Sequence, residues 1–468
     1  MIIQRYKTDE YFSALVECTS EMDCELVEID KLLEDEKLFV LLQTDLSQRY
    51  RLTTKTGRHS TPVEVILRML VLKHLRGLSY KQTVRNVKET LVLRQFCRVY
   101  LNRVPDKSML IRWSKLIKPD TLKQFNERLL EMARQLKLTK GRKMRTDGTV
   151  VETNIHYPTD SSLLADGVRV LSRTLVRAKA LLKDKPQVNP NLFRNRNHTA
   201  KRTARRINEQ LRRRGKDEGV QAKKAYQQLV RITKASIKQA TTVQALLEEL
   251  ISPQAKRLVK ILSEFVPRIE QVIDQTCRRI FGQEKLAATS KLLSLFEAHS
   301  DIICRGKLNR TAEFGHKVWL CEVDGGLISD YRVLCGNPHD TLQWSTSLEK
   351  HIEQFGRAPL LASADRGVYS QPNETIATQK GVKRVILPKS GYKSKQRQQQ
   401  EKQPSFRRGR YWHNGVEGRI SVLKRCYGLR RCLYYGEIGF ERWLGWGVIA
   451  GNLAVMARAL VSPTQLRA

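Results

Sequence analysis

Hydrophobic and polar positions repeat with two different periods along the chain. Residues 60–137 follow the three-to-four-residue spacing of amphipathic helices, whereas "KMRTDGTVVETN", from Lys143, alternates with the two-residue period of a strand. A long helical segment then covers about 160–300, after which strands and helices alternate. This order predicts a mixed α/β sheet with a large helical insertion after its first strand, preceded by an all-α region.

The all-α region carries clear helix-start signals. The stretch "STPVEVILRMLVLKHLRG" offers Thr61 as a cap, Pro62 at the first helical position, Glu64 to complete a capping box and Gly77 as the stop. Further helix starts are predicted at Ser79, Asp106 and Asp120. Short helices with basic outer faces are compatible with a helix-turn-helix contact to DNA, although a plain helical bundle explains the same pattern equally well.

The C-terminal third predicts a hairpin around Gly325 and Gly326, and later a buried strand that ends at Asp365. A polar stretch over 390–410 is predicted to be a mobile loop, followed by the helix "RYWHNGVEGRISVLKR". On that helix one stripe should face the core, and the adjacent stripe is polar. The core stripe is Val416, Ile420, Leu423 and Tyr427; the polar stripe is His413, Glu417, Ser421 and Lys424.

Charge changes the picture more than composition does. The chain has 468 residues, enough for two or three domains, and its 85 Lys and Arg outnumber 47 Asp and Glu, giving a net charge of +38. Such a surface attracts a polyanion, most commonly nucleic acid, although a membrane surface or ribosomal RNA would attract it too. Residues 169–238 alone hold 21 Lys and Arg against 4 acids, which we interpret as a phosphate-tracking helical arm rather than a merely solvated face.

The first 38 residues have the opposite charge, with eleven acids against four bases. This arm either shields the basic body or is a loosely ordered terminus, and we favour the second interpretation. No basic-then-apolar leader pattern is found, and the longest apolar stretch, over 443–460, is predicted to be a buried closing helix. Nine scattered cysteines without a C-x-x-C pair favour a reducing cytoplasm and argue against structural zinc.

Three carboxylates are the candidates for chemistry. Asp147 and Asp365 fall at or just past predicted strands, and Glu417 falls at the edge of the buried helix face. Carboxylates that hold Mg²⁺ beside basic side chains that hold DNA would explain one acid in so basic a helix. Alternatively, both aspartates are turn residues and Glu417 is a salt-bridging surface acid.

Three segments carry a family resemblance. "TDGTVVETNIHYPTDSSLLADGVRVL", "SADRGVYS" and "HNGVEGRISVLKR" resemble the motif regions of bacterial insertion-sequence DDE transposases, in the ISNCY-like group with a helical N-terminal transposase domain. The resemblance covers roughly residues 40–455. It implies a ribonuclease H-like catalytic core in which Asp147, Asp365 and Glu417 bind two Mg²⁺ ions, for which Mn²⁺ can substitute.

The resemblance also implies DNA-binding positions. Similar transposases carry a Tyr, Arg, Glu, Lys signature on the last helix; Lys424 stands at the expected spacing, while His413 and Arg410 replace the Arg and Tyr. DNA contacts are therefore expected at Lys424, His413 and Arg410, and in the insertion at Arg212, Arg213 and Arg214. His156, His339 and Asp340 are weaker candidates, and Trp412 could stack on an unpaired base or simply belong to the core.

Together these observations predict an acidic arm over 1–40, a helical DNA-binding domain over 41–140, and a DDE catalytic domain over 141–460 interrupted at about 160–305. The expected protein is a bacterial, cytoplasmic, nucleoid-associated transposase that acts as a homo-oligomer on double-stranded DNA, at terminal inverted repeats and target, and has no membrane partner. One alternative is a catalytically inactive, domesticated DNA-binding protein of the same fold. Another is a basic RNA-processing or ribosome-associated protein.

Overall fold

The computed structural model divides the chain into two compact units. It describes residues 1–49, 59–183, 189–213, 216–304 and 312–462. The first unit comprises Met1–Asn154 and Gly315–Ala468, and the second comprises Ile155–Phe314. The insertion predicted at about 160–305 falls within the second unit, whereas residues 41–140 lie in the same unit as the sheet.

The helices and strands follow the predicted alternation. In chain order the helices are α1 Glu10–Thr19, α2 Cys24–Leu32, α3 Glu36–Ser47, α4 Val63–Leu75, α5 Tyr80–Glu89, α6 Leu91–Phe96, α7 Lys107–Ser114, α8 Pro119–Gln135, α9 Asp160–Leu181, α10 Asn197–Arg212, α11 Lys216–Glu248, α12 Pro253–Thr276, α13 Trp344–Phe355, α14 Gln371–Gln379, α15 Lys395–Lys402, α16 Pro404–Cys426 and α17 Glu437–Val461. The strands are β1 Lys143–Glu152, β2 Asp301–Ile303, β3 Glu313–Val323, β4 Leu327–Leu334, β5 Leu361–Ala364 and β6 Arg384–Ile386.

The acidic N-terminal segment is folded, so the prediction of a loosely ordered terminus was wrong. Helices α2 and α3 bury an apolar face that includes Leu26, Ile29 and Leu38. Their carboxylates form ion pairs with arginines of the same unit: Asp30 with Arg68 at 2.5 Å, and Asp35 with Arg128 at 2.6 Å. The acids therefore neutralise basic side chains of the helical region that they cover.

The helix cap predicted at Thr61 is also wrong, because backbone carbonyls near the N-terminus accept the first N–H groups of the helix. Helix α4 begins at Val63, and the N–H groups of Val63 and Glu64 donate to the carbonyls of Ile3 and Gln4. Glu64 pairs with Arg68 at 3.0 Å instead of completing a capping box. The helix start predicted after Asp120 was also wrong, because α8 begins earlier, at Pro119.

Other predicted helix signals are confirmed. Gly77 has a left-handed φ of 58° just past the end of α4. Ser79 and Gln82 form a reciprocal capping box at the start of α5, and Asp106 accepts from the backbone of α7.

The sheet of the first unit is mixed, as predicted. Within this unit the order is β4, β3, β1, β5, β6; β3 is antiparallel to β4 and β1, whereas β1, β5 and β6 run parallel. Gly325 and Gly326 make the predicted hairpin turn between β3 and β4, with φ of 90° and 76°. The protein is therefore a mostly helical α/β protein with a mixed sheet.

The stretch over 390–410 is helical, so the predicted mobile loop was wrong. Ser394 caps α15, and α16 begins soon after it at Pro404. The buried Arg397 of α15 pairs with Glu374 at 2.7 Å and with Glu401 at 2.9 Å. These ion pairs give a polar sequence a tertiary partner that hydrophobic periodicity does not reveal.

Helix α17 closes the core, as the sequence predicts. It is long and apolar enough to cross a membrane by composition, yet 78% of its apolar window is buried in the protein. Its Trp446, Leu453 and Met456 belong to one hydrophobic core with side chains of α2, α3, α4 and α8. The last helix thus packs directly against the first helices of the chain.

An aromatic cage joins the two ends of the first unit. Lys73 of α4 is 3% exposed, and its Nζ lies 4.9 Å from the ring centroid of Tyr80, 5.1 Å from that of Tyr434 and 4.8 Å from that of Trp443. Within the described residues no carboxylate forms an ion pair with Lys73. Burial lowers the pKa of Lys73 to about 7, while the three ring faces favour its charged form.

The second unit is a set of four packed helices. Residues from α9, α10, α11 and α12 share one hydrophobic core, with Leu171, Ile207, Leu229 and Leu262 among its most buried members. Gly167 lets α9 approach α12, because a Cβ there would lie 2.9 Å from a side-chain carbon of Ile269. The basic side chains of this unit are therefore displayed on a rigid, well-packed support.

Candidate active site

Strand register places the two candidate aspartates side by side. Thr146 of β1 is paired with Ala364 of the parallel strand β5, and the next residues along the two strands are Asp147 and Asp365. Asp365 keeps an extended backbone as it leaves β5. Neighbouring strands lie about 4.8 Å apart, so the two backbones are adjacent where β5 ends. The prediction that Asp147 falls at the end of its strand was wrong, because β1 continues to Glu152.

Helix α16 covers the sheet face toward which both aspartates point. Arg145 and Ser363, each two residues before an aspartate, contact this helix: Arg145 donates to the carbonyl oxygen of Trp412, and Ser363 Oγ lies 3.3 Å from Nδ1 of His413. Since side chains two apart on a strand share a face, Asp147 and Asp365 face α16 as well.

Each aspartate is oriented by the backbone that follows it. Oδ1 of Asp147 accepts from the N–H of Gly148, and Oδ1 of Asp365 accepts from the N–H of Arg366, both at 2.7 Å. Asp365 is exposed, while Asp147 is half-buried. The carboxylates are thus held at the surface of the sheet edge, within reach of a ligand.

Glu417 lies on the exposed side of α16, one turn after His413. The predicted core stripe of this helix is confirmed, since Val416, Ile420, Leu423 and Tyr427 are all buried in one cluster. Arg410 extends the predicted polar stripe of His413, Glu417, Ser421 and Lys424 by about one turn, and Arg410 and Glu417 are its exposed members.

The three acids share one face but do not form a ready-made metal cluster. Over the described part of the chain, no three His, Cys, Asp or Glu side chains are grouped so that they could hold a metal ion. The donor chemistry of the two neighbouring aspartates nevertheless suits a hard cation, because they offer only carboxylate oxygens. Glu417, the exposed member on the helix, is the acid that would have to approach.

His413 is neutral in this setting. Burial, together with the nearby Arg145 guanidinium, lowers the pKa of His413 to about 4, although Asp365 acts in the opposite direction. A neutral imidazole has one N–H to donate and carries no charge. Positive charge on this stripe therefore comes from Arg410 and Lys424.

A buried ion pair that sequence reasoning missed fixes α16 on the sheet. Arg145 Nη2 lies 2.5 Å from Oε1 of Glu322, which is 1% exposed, and the guanidinium stacks 4.7 Å from the ring centroid of Trp412. The ring of Trp412 thus stacks on the Arg145 guanidinium. The sequence offered one signal for this role: Arg145 lies two residues before Asp147 on a strand, so both side chains point to the same face.

Helix α16 approaches the sheet closely at Gly415. A Cβ built there would overlap the guanidinium of Arg145, with Cζ at only 3.1 Å, whereas nothing lies within 4 Å of a Cβ at Gly418. In "HNGVEG", Gly415 therefore allows the close contact between α16 and the sheet, whereas Gly418 has no part in that contact.

Asp340 lies at the same sheet edge on the opposite face. It pairs with Lys317 at 2.7 Å, and its carboxylate oxygens lie 3.5 and 3.4 Å from Cβ positions built at Gly148 and Gly367. Asp340 therefore lies close to Gly148 of β1 and to Gly367, which follow the two aspartates. The other weak candidates are elsewhere: His339 caps a short 3-10 turn, and His156 lies in the second unit 3.6 Å from Asp166.

The DNA contacts predicted in the insertion belong to the second unit. Arg212 and Arg213 are exposed at the end of α10. Arg214 lies outside the described residues. The predicted site residues thus fall into two groups, with Asp147, Asp365 and the α16 stripe in the first unit and these arginines in the second.

Comparison with known proteins gives one result. A family model described as a transposase domain (DUF772) matches residues 15–116, which include helices α2 to α7 entirely and the second half of α1. No curated protein and no solved structure matches the chain. The match supports a transposase family and suggests nuclease or recombinase activity. It ends before β1, so it does not extend to the three acids.

Proposed function

We propose that this protein is a DDE transposase of the ISNCY-like group with a ribonuclease H-like core. In this proposal it binds the terminal inverted repeats of an insertion sequence, cuts the DNA strand and transfers the end to target DNA as an oligomer. One observation carries the proposal: the register sets Asp147 beside Asp365 on the face that α16 covers with Glu417. The transposase-domain match over residues 15–116 supports it independently.

The carboxylates would hold the cofactor. Asp147 and Asp365, each oriented by a backbone N–H, would provide one side of a site for two Mg²⁺ or Mn²⁺ ions, and Glu417 would complete it from α16. Bound Mg²⁺ supplies Lewis-acid activation of the attacking oxygen and stabilisation of the leaving oxygen.

The α16 stripe would bind the DNA strand. Arg410 and Lys424 would neutralise phosphate charge on either side of Glu417, and the neutral His413 would donate one N–H to a phosphate oxygen. The ion pair of Arg145 and Glu322 would keep this stripe aligned with the aspartates.

The decisive test is cleavage of a duplex that carries the repeats flanking the gene, with Mg²⁺ or Mn²⁺ present. The wild type should cut at the repeat boundary. Asp365→Asn, which keeps the shape but loses the charge, should abolish cutting, and Asp120→Asn, an exposed acid of α8, should cut normally. Strand transfer by Asp365→Asn would refute the assignment.

A DNA-binding protein without catalysis is the second candidate, because the described acids are not grouped as a metal site. It predicts that the wild type and Asp365→Asn shift the repeat duplex equally and that neither cuts it. The same assay therefore decides between the two functions.

A further inference from the structure

The second unit displays a strongly basic surface on α10 and α11. The two helices run antiparallel, as shown by hydrogen bonds from Arg206 to Gln228 at 2.5 Å and from Gln210 to Gln221 at 3.2 Å. Because these contacts join the edges of the two outer faces, the exposed side chains of both helices form one continuous surface.

Helix α11 contributes a straight stripe of cations. Lys223, Lys224, Arg231, Lys234 and Lys238 are all exposed, and at 100° per residue they fall within an arc of about 100°. The stripe rises over fifteen residues, which is about 22 Å of helix. Residues 219–247 contain no acid, so no carboxylate of α11 lies within the stripe.

Helix α10 extends the surface. Its Lys201, Arg202 and Arg205 are exposed, while Ala200, Ala204 and Ile207 are buried against the other helices. Glu209 is the acid on α10. We call these eight cations, three from α10 and five from α11, the α10–α11 basic face.

Several arginines of the second unit are neutralised by acids. Arg169 pairs with Asp166, Arg268 with Glu264 and Arg279 with Asp160. As far as the structure describes the chain, none of the eight cations takes part in an ion pair. Like charges held this close on rigid helices repel each other until a polyanion neutralises them.

We propose that the α10–α11 basic face binds the sugar–phosphate backbone of duplex DNA without reading its sequence. This inference deepens the proposed function and rests on it only for the identity of the polyanion. A stripe of about 22 Å matches roughly two thirds of one turn of B-DNA, whose pitch is about 34 Å. The eight lysines and arginines outnumber the exposed Gln227 and Glu209 that lie among them. Such a surface provides phosphate neutralisation rather than base recognition.

The test compares two triple variants of the full chain. Lys/Arg→Gln changes at Arg231, Lys234 and Lys238 remove three charges of the basic face. The same changes at Lys256, Arg257 and Lys260 of α12 remove three exposed charges from another helix of the same unit. All six side chains are exposed, so both variants should keep the helical circular dichroism of the wild type.

Binding is measured by fluorescence anisotropy, in EDTA, on a random-sequence duplex of about three helical turns over a range of salt concentrations. The α11 variant should bind at least about tenfold more weakly near 0.1 M salt, with a salt slope smaller by up to about 2.7. The α12 variant should bind like the wild type. Equal weakening in both variants, or none in either, would overturn the proposal, as would stronger binding to structured RNA than to DNA.

The outcome is separable from that of the proposed function. Anisotropy in EDTA requires no metal and no cleavage, and Asp365→Asn should bind this duplex as tightly as the wild type does. If the repeat duplex is never cut but the α11 variant alone loses affinity, the proposed activity fails and the DNA surface stands. If cleavage occurs and the two triple variants bind DNA alike, the proposed activity stands and the α10–α11 basic face is not the DNA surface.

Discussion

At the scale of single residues, two glycines three positions apart on α16 have opposite roles. Gly415 lies against the guanidinium of Arg145, while Gly418 faces open space. Arg145 cannot move aside at no cost, because Glu322 and the carbonyl of Trp412 hold it. One glycine is therefore required by packing, and the other only weakens the helix.

The same substitution should thus change stability in opposite directions. Gly418→Ala should raise the free energy of unfolding by about 0.5–1 kcal/mol, because alanine is the better helix former. Gly415→Ala should lower it by about 1–3 kcal/mol, because the methyl group overpacks against Arg145. Urea unfolding of both variants checks this; a stabilised Gly415→Ala would mean that α16 lies farther from the sheet than described.

At the scale of elements, α16 depends on one buried ion pair for its place on the sheet. Arg145→Met leaves Glu322, which is 1% exposed, without its partner and should cost about 3–5 kcal/mol of unfolding free energy. Arg145→Met combined with Glu322→Met should cost much less than the sum of the single changes, because the uncompensated charge is gone.

Denaturant unfolding of the two single variants and the double variant forms the cycle that measures this coupling. Strictly additive losses would show that the pair does not act as a unit. Their cleavage activity, measured alongside, reports whether α16 must be fixed for the acids to work.

The sequence could predict elements whose signals are local. The Ser79 capping box, the Gly325–Gly326 hairpin and the core stripe of α16 are each set by neighbouring residues, and the structure confirms them. The Thr61 cap failed because residues distant in sequence, Ile3 and Gln4, supply the carbonyls. The polar α15 was missed because its stabilisation comes from ion pairs of Arg397 rather than from an apolar stripe.

The candidate site was predictable only in part, for the same reason. The strand end at Asp365 and the helix face of Glu417 were predictable, whereas Asp147 lies in the middle of β1 rather than at its end. Only the β1–β5 register shows that Asp147 and Asp365 are neighbours. The Arg145–Glu322 pair connects two strands that the chain separates by the whole second unit. Cross-strand partners of this kind are not visible in a single sequence.

At the scale of the whole molecule, the Lys73 cage ties the first eighty residues to the last forty. Its unfolded pKa near 10.5 falls to about 7 on folding, so between these values the unfolded chain binds more protons. The free energy of unfolding contributed by Lys73 should therefore rise as pH increases from about 7 to about 10.5, and stay at its minimum below that window.

Lys73→Met tests this contribution, since it keeps an unbranched apolar chain in the cage and removes the titration. Unfolding free energies measured at several pH values across the window should rise less steeply for the variant than for the wild type. Parallel curves would show that the three aromatic rings hold the ammonium charged at no net cost.

The packing of α17 against α2, α3, α4 and α8 has a consequence for how the protein is made. The helical region similar to transposase domains lacks one wall of its core until Trp446, Leu453 and Met456 have left the ribosome. Until α17 is synthesised, the apolar side chains of α2, α4 and α8 that pack against it have no partner. The core of this helical region is therefore completed only at the end of synthesis, and a prematurely terminated chain would lack the α17 side of that core.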